Sequence, residues 1–290
     1  MQKKINLDYI RNFFVNIDQI KKPVPFVEIQ PRIKSETENK IGIIFLNGLN
    51  GTKTMINYFN YPVFEDKWLF TFDNRAQGEN QNFASKNYRK YVKDAYLSIE
   101  YLIKENKQIE AWYLLGESWG GAIIIHLVKK KLNKKIKGVF FWNMPCKIVN
   151  VDPRSKKAAF INNIKVVTTF LFSIPLKTDN PVNPKLTNNK ILLKVIEMLS
   201  TKKVNVGTIL ACWRSFKPAW NYLIKNHQKI NFRYIQSGLD VLRDDSKISK
   251  ISNITNKVIL FDKGTHILSF DKYMDHSLFA QLSDFINENH

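Results

Sequence analysis

The chain has 290 residues, 44% of them hydrophobic and 24% charged, which excludes a disordered polymer and fits one large α/β domain with an insertion as well as two small domains. Its formal charge is +20, but 37 of the 45 basic residues are lysines spread along the whole chain with no interleaved basic and aromatic motif. Nucleic acid is therefore not an expected partner, whereas loose association with an anionic membrane surface fits the charge.

Cys146 and Cys212 lie far apart and match no metal-ligand spacing, so the expectation is a reduced, cytoplasmic protein without a metal, peripheral at most to a membrane. The basic opening Met1-Gln2-Lys3-Lys4 runs into Asp8, Arg11 and Asn12 and makes a poor signal peptide. Residues 158–176 form the longest apolar-rich stretch, and Asn162, Asn163, Lys165 and Pro175 break it as a membrane span.

In chain order, short strands are predicted over residues 11–17, 25–29, 41–46 and 68–72, the third nearly all apolar. Tyr88–Glu105 spaces Tyr91, Ala95, Tyr96, Ile99, Leu102 and Ile103 at helical intervals. Residues 111–115 are the next apolar strand, followed by a helix that ends in Lys129-Lys130-Lys131, where positive charge suits the macrodipole. Strands at 138–142, 232–236 and 258–261 complete the alternation. Apolar strands separated by helices predict a mostly parallel sheet covered on both faces. Between about residues 145 and 229 the alternation stops; helical segments at 166–174, 191–199 and 206–213 flank the proline- and asparagine-rich 179–184, and the stretch is read as an insertion capping the sheet's carboxyl edge.

The strand at 111–115 ends in Gly116-Glu117-Ser118-Trp119-Gly120-Gly121, directly before the apolar Ala122-Ile123-Ile124-Ile125. Glycines two residues either side of a serine at a strand-to-helix turn are what a nucleophile elbow requires, because side chains there would collide with neighbouring backbone. Of only 11 glycines, eight fall in five short segments that each follow an apolar run: Gly48 with Gly51, Gly78, Gly116 with Gly120 and Gly121, Gly238, and Gly264. Glycine is concentrated where an α/β sheet builds its site.

With these motifs the chain resembles the α/β-hydrolase superfamily, and within it the monoacylglycerol lipase, lysophospholipase and serine aminopeptidase group, over nearly its whole length. Leu46-Asn47-Gly48-Leu49-Asn50-Gly51 stands where that group ends a strand in His-Gly-x-x-Gly. Asp73-Asn74-Arg75-Ala76-Gln77-Gly78-Glu79-Asn80 is similar to the group's Asp-x-Arg-Gly-x-Gly-x-Ser. The departures are Asn47 for histidine, Ala76 for glycine and Asn80 for serine. The resemblance implies an α/β-hydrolase fold with a mostly parallel eight-stranded sheet, core segments 1–144 and 230–290, and a helical cap at 145–229.

In this fold the triad follows the chain order serine, acid, histidine. His266, in Gly264-Thr265-His266 after the last strand, resembles the group's base; His126 reads as a core residue at a helix–sheet contact, His227 as a loop residue, His276 as the start of the final helix and His290 as terminal. Asp240, in Gly238-Leu239-Asp240, matches the acid position, with Asp244 and Asp245 as the main competitors and Asp262 too near His266. The implied chemistry is attack by Ser118 on an acyl carbonyl, His266 as base, Asp240 orienting the imidazole, and an oxyanion hole from the backbone N–H groups of Leu49 and Trp119, with no cofactor.

Serine at the nucleophile position disfavours epoxide hydrolase and dehalogenase chemistry. For substrate, Phe160, Val166, Val167, Phe170, Leu171, Phe172, Ile174, Trp213 and Trp220 could line a fatty-acyl site in the cap or simply pack it onto the core. The expected substrate is a small-molecule acyl ester of the monoacylglycerol or lysophospholipid type. The alternatives are a serine aminopeptidase of the proline-iminopeptidase kind, for which the cap offers only Asp152, Asp179 and Glu197 to hold an amine, and a non-catalytic binding protein. The oligomeric state is left open.

Overall fold

A computed structural model of the chain describes residues 9–33, 40–58, 61–145, 177–179, 190, 193–194, 203–271 and 275–290. The strands are β1 (Ile10–Val15), β2 (Val24–Ile29), β3 (Ile41–Leu46), β4 (Trp68–Phe72), β5 (Ala111–Glu117), β6 (Ile136–Trp142), β7 (Lys177–Asp179), β8 (Lys203–Asn205), β9 (Phe232–Ser237) and β10 (Val258–Phe261). The helices are α1 (Tyr88–Glu105), α2 (Trp119–Lys129), α3 (Val206–Asn226), α4 (Asp245–Ser252) and α5 (Asp275–Asn287). Eight strands form one sheet in the order β1-β2-β4-β3-β5-β6-β9-β10. From β4 to β10 all pairings are parallel, and β2 joins β4 and β1 joins β2 antiparallel.

Alternation along the strands sorts the core into two layers. In β3, Ile44 and Leu46 face a cluster built with α1, α2, α3 and α4. Ile43 and Phe45 face the other side, where Met55, Ile56, Phe64 and the Leu278, Phe279, Leu282, Phe285 and Ile286 stripe of α5 cover the sheet. Both faces are buried, and for that reason β3, β5 and β6 read as continuous apolar runs rather than alternating ones.

Helix α2 is buried on every side, from Trp119 through Leu127. Its outer flank meets α3, where Trp119 Nε1 donates to Ser215 Oγ at 3.1 Å and His126 Nε2 donates to the Ser215 carbonyl at 3.0 Å. His126 therefore faces a helix–helix contact instead of the helix–sheet contact expected, and burial pushes its pKa down. The prediction of a helix at 206–213 was too short: α3 continues through Pro218 to Asn226. A proline there removes one rung of the helical ladder, and packing of Phe216, Ala219, Trp220 and Leu223 into the core keeps the helix going.

This helix closes the stretch read as a cap, and it packs on the core layer. Trp220 is 1% exposed, meets Tyr234 edge-on at 5.5 Å and donates to the Pro145 carbonyl at 2.9 Å, so it packs the core and is not available to an acyl chain. Within the same stretch β7 and β8 pair antiparallel as a separate two-stranded sheet, which no local periodicity announces. The helical segments expected at 166–174 and 191–199, and the apolar residues from Phe160 to Ile174, lie outside the described residues except for Leu193 and Lys194, which are helical.

Truncating Trp220 opens a cavity where three elements meet. Trp220→Ala is expected to lower the unfolding free energy by about 3–5 kcal/mol, read as the shift of a urea unfolding curve.

Candidate active site

The parallel register sets the ends of β3, β5 and β6 side by side, with Leu46 opposite Gly116 and Glu117 opposite Trp142. At that edge β5 turns directly into α2. Ser118 makes the turn at φ 54° and ψ −117°, a conformation that costs a non-glycine residue about 1–3 kcal/mol. A Cβ on Gly120 would lie 2.0 Å from the Leu46 carbonyl oxygen, and one on Gly116 would lie 2.6 Å from Ile124 and 2.8 Å from the Gly120 carbonyl carbon. Glycine at both positions is thus a packing requirement. The Ser118 N–H donates to the Trp142 carbonyl at 3.0 Å, tying the turn to β6.

Strands β9 and β10 bring two further loops to the same edge. Asp240 follows β9, and His266 follows β10. His266 Nδ1 lies 2.9 Å from Asp240 Oδ1, and His266 Nε2 lies 2.9 Å from Ser118 Oγ across 148 residues of sequence. A carboxylate only accepts, so Nδ1 carries the proton and Nε2 is left to accept from the serine hydroxyl. Burial alone would lower the His266 pKa, but the charge and hydrogen bond of Asp240, with a smaller contribution from Glu117, outweigh it and raise it above the ordinary histidine value. Burial likewise pushes the Asp240 carboxyl up, and the His266 partner, the Leu242 N–H at 2.8 Å and Gln236 Nε2 at 3.2 Å more than offset this and lower it.

Of the three competing carboxylates, two have other partners and one points into solvent. Asp244 caps α4 by accepting from the Ser246 N–H, Asp245 pairs with Arg243 at 2.5 Å, and Asp262 is exposed. Of the other histidines, His227 Nδ1 donates locally to the Ile224 carbonyl at 3.0 Å, and His276 of α5 stacks edge-on against Tyr61. Among the described residues no group of three or more His, Cys, Asp or Glu is placed to hold a metal ion.

The two amides expected to form an oxyanion hole lie on the loop after β3 and at the start of α2. Trp119 is the first residue of α2, where a backbone N–H has no partner inside the helix. Leu49 follows Gly48, whose added Cβ would sit 3.1 Å from Ser118 Cβ and 3.7 Å from its Oγ, so this loop runs directly beside the serine. At the departures from the family pattern, Asn47 donates to Thr71 Oγ1 at 3.2 Å, Ala76 takes the left-handed φ of 59° that glycine favours, and Asn80 donates to the Asp73 carbonyl at 2.9 Å.

The chain matches the family model described as serine aminopeptidase, S33, over residues 38–232, well over half of its length. It belongs to that family of α/β-hydrolases. No curated protein matches it significantly in sequence. Solved structures share the fold over nearly all of the chain. A soluble variant of monoglyceride lipase from Saccharomyces cerevisiae, in complex with a substrate analog, superposes with a TM-score of 0.76 at 15% identity, covering 99% of this chain and 98% of that one. The monoacylglycerol lipase of Paleococcus ferrophilus gives 0.67 at 14% identity, over 92% and 99% of the two chains. A thermostable carboxyl esterase from Bacillus coagulans, in complex with glycerol, gives 0.70 at 11% identity, over 97% and 98%.

Two side chains that the sequence reading passed over hold this α/β-hydrolase site together. Asn143, fully buried at the end of β6 with φ 49°, donates to the carbonyls of Thr265 at 2.8 Å and His266 at 2.7 Å and to Ser237 Oγ at 2.9 Å, while its oxygen accepts from the Ser237 N–H at 2.8 Å. It joins the Asp240 loop to the His266 loop. Glu117, inside the elbow itself, accepts from Trp142 Nε1 at 2.9 Å and from Ser269 Oγ at 3.1 Å, and burial raises its pKa. Asparagine directly after a strand was the only sequence signal for Asn143, and it is a common turn residue.

The electrostatics give a pH test. With the His266 pKa raised by Asp240, activity that needs the neutral imidazole falls as pH drops through a value above the ordinary 6.5. Asp240→Asn is expected to move that acid limb of kcat/KM to lower pH and to reduce kcat on the order of 10³- to 10⁴-fold, measured by a pH–rate profile.

Proposed function

We propose that the chain is a serine esterase that cleaves carboxylic esters through an acyl-enzyme, with Ser118 as nucleophile, His266 as general base and acid, and Asp240 as the group that orients and stabilises the imidazolium. The observation that carries this is the continuous relay from Ser118 Oγ through His266 to Asp240, each link 2.9 Å long. In the first step Ser118 Oγ bonds to the acyl carbon, its proton passes to His266 Nε2, and the carbonyl π pair moves onto oxygen. The N–H groups of Leu49 and Trp119 receive that oxyanion. The tetrahedral adduct collapses, the ester C–O bond breaks, and the alcohol leaves with the proton from His266. Water then repeats the sequence on the acyl-enzyme and restores the serine.

A fatty-acyl ester of the monoacylglycerol or lysophospholipid type is the substrate class we favour. It is supported by the fold shared with two monoglyceride lipases and by the apolar residues between 160 and 174, in the part of the 145–229 insertion that we read as a cap. The two distant cysteines accord with a reduced cytoplasmic setting and the lysine-rich composition with peripheral contact to anionic lipid. Among the described residues no helix is long and apolar enough to cross a membrane. The family description supports a second reading, aminopeptidase activity. That reading needs carboxylates to hold the substrate amine, and the insertion has few.

A fluorophosphonate probe is expected to label the wild type and not Ser118→Ala. A non-catalytic binding protein would leave both unlabelled. On a panel of p-nitrophenyl esters from C2 to C16 beside aminoacyl-naphthylamides, turnover of long-chain esters is the expected result; hydrolysis of the aminoacyl compounds alone would replace the ester reading with the aminopeptidase one.

A further inference from the structure

The loop after β4 reaches across to the loop after β3 and holds one peptide unit in place. We propose that Gln77 is a positioning residue for the reaction, aiming the backbone N–H of Leu49 at the oxyanion; this rests on the acyl-transfer reading of Ser118.

Gln77 is 2% exposed, and its Nε2 donates to the Gly48 carbonyl at 2.7 Å. A carbonyl only accepts, so the orientation of the side-chain amide is determined by its partner. There is no cis peptide bond in the described chain, and in a trans peptide the C=O and the following N–H point in opposite directions. Fixing the Gly48 carbonyl on one side therefore fixes the Leu49 N–H on the other. Gly48 stands against the nucleophile, its missing Cβ 3.7 Å from Ser118 Oγ.

The segment needs such a brace. Asn47-Gly48-Leu49-Asn50-Gly51 contains two glycines, and Asn50 already takes φ 67°. Glycine accepts either sign of φ at little cost, so the peptide between Gly48 and Leu49 has two accessible orientations. One turns an N–H toward the reacting oxygen and the other a carbonyl. The Gly51 N–H also bonds the Gly48 carbonyl, at 3.2 Å, but it belongs to the same loop and moves with it. Gln77 anchors from outside.

Its own loop is a firm support. Asp73 Oδ1 accepts from the Lys53 N–H at 2.7 Å and Oδ2 from the Glu79 N–H at 3.1 Å, while Lys53 Nζ pairs with Glu79 at 2.8 Å. The Ala76 N–H donates to the Asn80 carbonyl at 3.1 Å. Two contacts, from Asp73 and from Glu79 to Lys53, thus tie the two loops together beside the one made by Gln77. They survive when the Gln77 side chain is changed, so loss of the brace frees a single peptide without releasing the loop.

Such a contact acts only when charge develops on the substrate oxygen. Gln77→Leu is therefore expected to reduce kcat about 10- to 100-fold, less than the 10²- to 10³-fold typical of deleting an oxyanion donor, with KM within about twofold. The test uses the full chain and the ester the wild type turns over fastest. Inhibition by a trifluoromethyl ketone, to which Ser118 Oγ adds to give a tetrahedral adduct, is expected to weaken by the same factor as kcat/KM. Gln77→Glu, nearly the same shape but presenting an oxygen to the carbonyl, is expected to lose at least as much and carries the test should the leucine variant not fold. The proposal is overturned if a folded variant keeps kcat within about twofold, if the loss falls on KM alone, or if ketone affinity stays unchanged. An active, fluorophosphonate-labelled wild type with unaffected variants defeats this inference alone, whereas a wild type without labelling or ester turnover defeats the acyl-transfer reading and this inference with it.

Discussion

Ser118 holds a backbone conformation that its own side chain disfavours, and the surroundings are arranged to keep it there. The strain of about 1–3 kcal/mol is small beside the burial around it, since each fully buried large apolar side chain contributes about 1.5–3 kcal/mol. Trp119, Ile123, Ile124, Ile125 and Leu127 all supply such burial along α2. The helix cannot slide to relax the turn, because Gly120 already touches the Leu46 carbonyl and Gly116 touches the first turn of the helix. Sheet packing thus sets where the hydroxyl points.

Electrostatics at the site run against the character of the whole molecule. The chain carries a formal charge of +20, yet the buried imidazole is flanked by two carboxylates, Asp240 in hydrogen-bond contact and Glu117 through its field. A buried charge is tolerable only with partners, and each of these has them: the Leu242 N–H and Gln236 for Asp240, Trp142 and Ser269 for Glu117. The same bonds that satisfy the carboxylates also lock the loops carrying them. Asn143 extends this lock to the histidine loop, so the Asp240 and His266 loops are held as one unit although 26 residues separate Asp240 from His266.

Much of this was legible from local pattern. Tyr88–Glu105, Ile41–Leu46, Trp68–Phe72 and Val258–Phe261 have the bounds the apolar spacing predicts, because short runs of apolar residues and a one-sided helix leave strong local signals. The elbow was legible because only glycine fits at 116 and 120. Other features left no such trace: α3 runs through a proline, β7 and β8 pair three residues at a time, and Trp220 belongs to the core rather than to a cap surface. In each case the decisive neighbour is distant in sequence, and local propensity yields to packing.

The sequence by itself determined the alternation of strands and helices, the glycines that permit the turn at Ser118, and the placing of a histidine and several carboxylates at strand ends. Only the tertiary structure decided which carboxylate faces His266, that the imidazole reaches Ser118, and that Gln77, Asn143 and Glu117 brace the loops between them. The reason is physical: periodicity and steric permission act between neighbours along the chain, whereas a hydrogen bond of 2.9 Å depends on the register of several strands at once.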